Sequence, residues 1–181
     1  MARRHLEAAF SMASRLGHAA DTTRLRRQLA LHQLRIGLPE QAAPYLSMAL
    51  RDALNDNDTL SVVALTSTLS AMHLDAGDWA EAHRLAGLLI AAATQRGNWI
   101  GIADGLITQA ACLAGLSRPL PMVLSLLLQG GKDLNERGAL AAVNLLKARL
   151  GELRALHGPE VFDAALQEAL RQLRAVSPQA T

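Results

Sequence analysis

The stretch Gly77-Asp78-Trp79-Ala80-Glu81-Ala82 decides the fold of this chain. Glycine readily takes the left-handed backbone that a tight turn after a helix needs. On both sides of it the sequence is rich in alanine and leucine, which are strong helix formers and recur here with a helical period. A helical hairpin is therefore predicted, with one helix over residues 59–76 and the next over residues 79–95.

The hairpin recurs along the chain with a period of about 40 residues. Glycines stand in comparable contexts at Gly37, Gly77, Gly115 and Gly158. Asp58 and Asn98 are one such period apart, each just before a new apolar-periodic segment, so their side chains are expected to cap the next helix. Each unit is thus predicted to contain helix A, a glycine turn, helix B and a capped loop.

The pattern predicts nine helices, near residues 2–16, 22–36, 39–54, 59–76, 79–95, 99–114, 119–130, 136–156 and 159–175. The dipeptide Gly130-Gly131 is interpreted as the end of the seventh helix. A single domain is expected over residues 1–181. It divides into an N-terminal B-type helix in residues 1–20 and helix pairs in residues 21–57, 58–97, 98–135 and 136–175. Trp79 is expected in the core, whereas Trp99 is either a core contact or an interface aromatic.

The composition agrees with one soluble helical domain. Half of the 181 residues are hydrophobic and only 3% are aromatic, so the chain has material for a core but little for a sheet. Cys112 is the only cysteine, which excludes an intramolecular disulfide and suits a reducing compartment. The longest apolar run, residues 119–128, is about half the length of a membrane span. A cytoplasmic protein without a membrane span is expected.

The stretch from Gly77 to Ala82 resembles the centre of the tetratricopeptide repeat (TPR), a family that favours Gly-Asp-aromatic-x-Glu-Ala at this point. Ala42 matches the family's small residue one unit earlier, and Leu150-Gly151 resembles the Leu-Gly pair of its helix A. The period resembles the longer variant of bacterial regulators and some polarity scaffolds. The resemblance implies an all-α, right-handed α-solenoid of antiparallel helix pairs with about 3.5–4 repeats, whose concave face is lined by the A helices.

The family's register implies a partner-binding groove on these A helices. The groove positions that carry the prediction are Arg24, Arg27, Gln28, Leu31, Arg35, Ser67, Thr68, Ala71 and Gln109. The register adds Ala64 and Asp75 in the second A helix, Ile102 and Leu106 in the third, and Leu145, Arg149 and Glu152 in the fourth. Residues 1–40 carry seven arginines against three acidic residues, so this end of the groove suits an acidic peptide or helix.

No motif for catalysis emerges. The six histidines have no metal-ligand spacing, Cys112 has no base nearby in sequence, and Gly130-Gly131-Lys132-Asp133 lacks the Ser or Thr of a phosphate loop. No catalytic residue, metal or cofactor is predicted. The expected function is that of a non-catalytic protein–protein interaction scaffold or adaptor.

Other functions remain open on the sequence. The alternative is a regulatory or sensor module of a bacterial signalling or transcription-control system, which binds a peptide or docks onto a DNA-binding domain. Nucleic-acid binding is disfavoured because aromatic stacking residues are scarce. A homodimer through the terminal helices also stays open.

Overall fold

The computed structural model describes residues 2–176, and every regular element within them is an α-helix. The helices are α1 (Ala2–Arg15), α2 (Ala19–Arg35), α3 (Pro39–Asn55), α4 (Thr59–Asp75), α5 (Trp79–Gln95), α6 (Trp99–Gly115), α7 (Leu120–Glu136), α8 (Leu140–His157) and α9 (Pro159–Val176). Met1 and residues 177–181, which the predicted domain includes, lie outside the described residues. The predicted all-α class is confirmed.

The turns between these helices share one backbone device, a residue with positive φ. These residues are Gly17, Gly37, Asn57, Gly77, Gly97, Ser117, Gly138 and Gly158. After α4, the backbone N–H of Gly77 donates to the carbonyl of Leu74 at 3.1 Å, and that of Asp78 to the carbonyl of His73 at 2.9 Å. Such bonds satisfy carbonyls that the last turn of a helix leaves free. Because the turn recurs, the helices begin at nearly regular intervals, and two helices make one repeat.

Side chains cap the N-termini of three successive helices. Asp58 accepts the backbone N–H of Ser61 at 3.1 Å, and Asn98 accepts that of Gly101 at 3.0 Å, so both predicted caps are confirmed. Asp78 caps α5 in the same way. Hydrogen bonds from the hydroxyl and the backbone N–H of Ser61 hold the pKa of Asp58 below its usual value.

Consecutive helices pack against one another along the whole described chain, as in a helical-repeat solenoid. Helices α4, α6 and α8 also pack side by side, and so do α7 and α9. The buried apolar residues form two clusters, one spanning α2–α5 and the other α6–α9. The α5–α6 crossing joins them, because Ile90 of α5 packs against the second cluster. A Cβ atom added to Gly105 of α6 would lie 2.5 Å from Cγ1 of Ile90.

Three helix boundaries differ from the sequence prediction by more than one residue. Helix α2 begins at Ala19, which places the predicted pair boundary at residue 21 inside a helix. Helix α7 continues to Glu136, and α8 starts only at Leu140. The interpretation of Gly130-Gly131 as a helix end was therefore wrong. Gly130 is buried within α7, where a side chain would collide with Leu106 of α6.

The third turn also differs from its predicted position. Gly115 is the last residue of α6, and Trp79 packs against it so closely that a Cβ atom there would lie 2.5 Å from the indole Cδ2. The residue with positive φ is Ser117 (54°), which follows Gly77 by the same interval that separates Asn98 from Asp58. The turn assigned to Gly115 was wrong by two positions, and the repeat is more regular than the glycine spacing indicated.

None of the helices within residues 2–176 is long and apolar enough to cross a lipid bilayer.

Candidate functional site

The N-terminal halves of α4, α6 and α8 form an open trough. Two adjoining depressions of about 400 and 480 Å³ make up this trough, and they share Asn98 and Ile100. The first lies between all three helices and the second between the N-termini of α6 and α8. Their linings include Val63, Ala64 and Ser67 of α4, Ile100, Gly101, Asp104 and Ile107 of α6, and Leu140, Ala141 and Leu145 of α8. We call this surface the trough.

An apolar stripe follows the N-terminal ends of α4, α6 and α8, and two of its three members, Ile100 and Leu140, line the trough. Leu60, Ile100 and Leu140 are each at or next to the first residue of their helices, and they are 61%, 48% and 66% exposed. Exposed leucines are common singly, but here each of three successive A helices carries a large exposed apolar side chain in its first turn. Leu60 and Ile100 hold the same repeat position, and Leu140 lies one residue earlier relative to its turn. Because α4, α6 and α8 pack side by side, their axes are expected at roughly 8–10 Å, the usual distance between packed helices.

One hydrogen bond crosses the trough. The hydroxyl of Ser67 in α4 donates to Oδ2 of Asp104 in α6 at 2.8 Å. Asp104 is partly buried, and it is the only charged residue among the described residues that line the trough. No described cationic group lies within ion-pair distance of its carboxylate. The lining is thus mainly apolar, with the neutral polar side chains of Ser67 and Asn98 and a single negative charge at Asp104.

The five predicted groove residues of α2 share one exposed face. Arg24, Arg27, Gln28, Leu31 and Arg35 are all exposed, and Leu31 is 40% exposed. Arg24 forms an ion pair of 3.0 Å with Asp21 in the same helix, which is worth little at such an exposed position. Within the described residues, α2 packs on α1 and α3 but not on α4. The basic face therefore stands apart from the trough.

In α4, the predicted residues Ser67, Thr68 and Ala71 follow the face that lines the trough. Ser67 is part of the lining, whereas the hydroxyl of Thr68 donates to the carbonyl of Ala64 one turn earlier. Ala71 is exposed two turns after Ala64. Leu145, which the same register predicted in α8, also lies in the lining.

Gln109 lies outside the lining of the trough. It is five positions from Asp104, or about 140° around α6, and its amide lies near Gly87 of α5. Of the other positions predicted in α6, Leu106 is 9% exposed and Ile102 packs against the α6–α9 cluster. The positions in α6 were predicted by counting back from a turn at Gly115, but the turn is at Ser117. The count was therefore displaced by two residues, and the positions that it selected do not face the trough.

The residues of α6 that face the trough were missed for this reason. Moving one repeat interval along the chain from Ala64 and Ser67 gives Asp104 and Ile107. Both line the trough. The signal that could have found them is the interval between Asp58 and Asn98, which the sequence already carries.

Trp99 occupies a junction between repeats. The guanidinium carbon of Arg137, which follows α7, lies 5.4 Å from the centroid of its ring. Trp99 is partly buried and packs against the α6–α9 cluster. The core contact that the sequence left open is present, with the cation–π pair as an additional contact, and Trp99 also lines the trough between α6 and α8.

Cys112 was considered as a nucleophile on the sequence, and its environment decides whether the thiol is reactive. Its side chain is buried, and burial raises the pKa of the thiol. A buried thiol with a raised pKa is mostly protonated and unreactive near neutral pH. Within the described residues, no three His, Cys, Asp or Glu side chains are grouped closely enough to hold a metal ion.

No protein-family model, curated protein or solved structure matches this chain. The resemblance to the tetratricopeptide repeat therefore rests on the residues from Gly77 to Ala82 and the repeat spacing, and membership of that family stays a prediction.

Proposed function

We propose that this chain is a non-catalytic scaffold that binds a peptide or a helix of a partner protein in the trough. The observation that carries the proposal is the stripe of Leu60, Ile100 and Leu140, which leaves a large apolar side chain exposed in the first turn of each of three adjacent helices. Contiguous exposed apolar surface of this kind marks interaction sites in folded proteins. Small residues of the lining, such as Ala64 and Ala141, leave room for the backbone of an occupant.

The spacing between the helices that carry the stripe limits which peptide conformations fit the trough. Apolar side chains about 10 Å apart occur at every seventh position of a helix, with a rise of about 1.5 Å per residue. They also occur at every third position of a polyproline II segment, which has three residues per turn and rises by about 3.1 Å per residue. An apolar side chain of the occupant could then lie beside each member of the stripe. The basic face of α2, with Arg24, Arg27 and Arg35, is a proposed extension that would contact acidic residues of a longer partner.

The proposed cellular setting follows the sequence argument. A single buried thiol suits a reducing compartment, so we place the scaffold in the cytoplasm. The alternative role as a regulatory or sensor module, and a homodimer through the terminal helices, stay predictions.

The proposal is tested by selecting binders from a displayed library of random 16-residue peptides on the full chain. The selected peptides are synthesised, and their affinities are measured by fluorescence anisotropy for the unmodified chain and for Ile100→Glu. A charge placed among the apolar contacts should weaken binding at least tenfold.

Met122→Glu is the matched control, because Met122 is also 48% exposed but lies on α7 and outside the trough lining. Its affinity should stay within twofold of the unmodified chain. Equal binding to Ile100→Glu and the unmodified chain would show that the peptides use another surface, and the proposed site would be wrong.

A further inference from the structure

We infer that the trough selects a segment carrying one lysine or arginine between apolar residues, and that the Asp104 carboxylate binds this cation. The inference rests on the proposed function of the trough, and it specifies the chemistry of the occupant. It differs from the acidic partner that the arginines of α2 suggest, since those arginines lie on a separate face.

The charge distribution carries the first step. Asp104 is the sole charged residue among the described residues of the lining, and its one side-chain hydrogen bond comes from the neutral hydroxyl of Ser67. An occupant that covers the trough would remove water from this carboxylate. A covered carboxylate without a cation is costly, whereas one paired with a cation is stabilised. Apolar or acidic residues at this point of the occupant are therefore disfavoured, and a cation is favoured.

The position of Asp104 gives the second step. Asp104 lies on α6, the middle helix of the trough, one turn after Ile100. Apolar lining from Val63 of α4 stands on one side and from Leu145 of α8 on the other. The cation of the occupant should therefore have apolar neighbours in both directions, about three residues away in a polyproline II segment or seven in a helix.

The equivalent positions of the other A helices show that the carboxylate of Asp104 is particular to α6. The positions one and two repeat intervals before Asp104 hold Ala64 and Arg24. Three equivalent helix positions therefore carry a cation, a methyl group and an anion in turn. The fold therefore does not require a carboxylate at this repeat position.

The test uses the peptides selected on the full chain together with Asp104→Asn. Asparagine keeps an oxygen that can accept the hydroxyl of Ser67, so the contact between α4 and α6 persists while the charge is lost. Peptides with lysine at the central position should bind Asp104→Asn about tenfold more weakly. The same peptides with norleucine in place of that lysine should bind both chains equally.

A second selection on Asp104→Lys makes the test reciprocal. The selected peptides should then carry aspartate or glutamate where the first set carried lysine or arginine. Ser67→Ala, which removes the hydroxyl but keeps the charge, should retain the preference for lysine. Thermal unfolding of each variant by circular dichroism verifies that the fold is intact.

The outcomes separate this inference from the proposed function. Peptides that depend on Ile100 but show no central cation, or that bind Asp104→Asn as well as the unmodified chain, would overturn the role of Asp104 and leave the trough as the binding site. Selection of lysine or arginine by Asp104→Lys would overturn it too. Peptides that bind Ile100→Glu normally would remove both proposals together.

Discussion

The crossing of α5 and α6 allows a prediction in which two glycine-to-alanine substitutions have opposite effects on stability. Alanine is favoured over glycine inside a helix by about 1 kcal/mol when nothing obstructs the added methyl group. Gly151 lies inside α8 with no atom within 4 Å of an added Cβ. Gly151→Ala should therefore raise the free energy of unfolding by about 0.5–1 kcal/mol.

Gly105 of α6 is also a glycine inside a helix, but its surroundings are crowded. An added Cβ would lie 2.5 Å from Cγ1 of Ile90 and 3.1 Å from the backbone oxygen of Ala86. The first atom belongs to a β-branched side chain with restricted rotation, and the second belongs to a helix backbone that cannot shift alone. Overpacking of this kind costs about 1–3 kcal/mol. After the helix-propensity gain of about 1 kcal/mol, Gly105→Ala should lower the free energy of unfolding by roughly 0–2 kcal/mol.

Urea unfolding of both variants, followed by far-UV circular dichroism, measures the difference. A double-mutant cycle with Ile90→Ala identifies the cause, because removing the Ile90 side chain should relieve much of the penalty at Gly105 and give a favourable coupling of about 1 kcal/mol or more. If Gly105→Ala stabilises the chain as much as Gly151→Ala does, the close approach of α5 and α6 is wrong, and with it the joining of the two core clusters.

Three further predictions concern the turns, the caps and the basic face. Gly77→Val should lower the free energy of unfolding by about 1–2 kcal/mol because φ there is +74°, whereas Asn57→Gly at the equivalent turn position should be neutral or stabilising in the same urea assay; equal behaviour would contradict the turn geometry. Asp58→Ala should cost about 1 kcal/mol at neutral pH through loss of the cap on α4. Because the folded pKa of Asp58 is lowered, its contribution is present above the unfolded pKa near 4 and is lost as the pH falls through the folded value, so the difference from the unmodified chain should shrink in urea titrations below about pH 4; a constant difference would argue against an ionised cap. Arg24→Glu combined with Arg27→Glu should weaken binding of partners that carry acidic residues and leave trough-binding 16-residue peptides unaffected, as anisotropy would show; equal weakening of both would mean that the two faces act as one site.

Local sequence signals predicted the helices and two of the caps. Apolar periodicity located nine helices, and the caps at Asp58 and Asn98 could be recognised because their side chains act on the backbone three positions later. These features depend on neighbours along the chain, which is why the sequence alone suffices for them.

The errors came from contacts between distant segments. Ser117 takes a positive φ, although serine is not a residue that signals this conformation, and Gly115 beside it is required by the packing of Trp79. Gly130 looks like a helix end but serves the approach of α7 to Leu106. Tertiary packing determines both the position of this turn and the role of Gly130, and the spacing of residues along the sequence does not show tertiary packing.

The same error affected the site. Counting from Gly115 displaced the register of α6 by two positions and selected Gln109 instead of Asp104 and Ile107. In α4 the register that the resemblance implied selects Ser67, which is part of the lining of the trough. The hydrogen bond between Ser67 and Asp104 joins segments that are far apart in the sequence, and no local sequence pattern predicts it.

The central claim is that the trough of α4, α6 and α8 is the binding surface, and chemical-shift mapping tests it most directly. A ¹⁵N-labelled chain is titrated with one selected 16-residue peptide. The account predicts that the largest amide shifts occur at Ala64, Ser67, Asp104, Ile107 and Leu145. Shifts confined to α3, α5, α7 and α9 would contradict it.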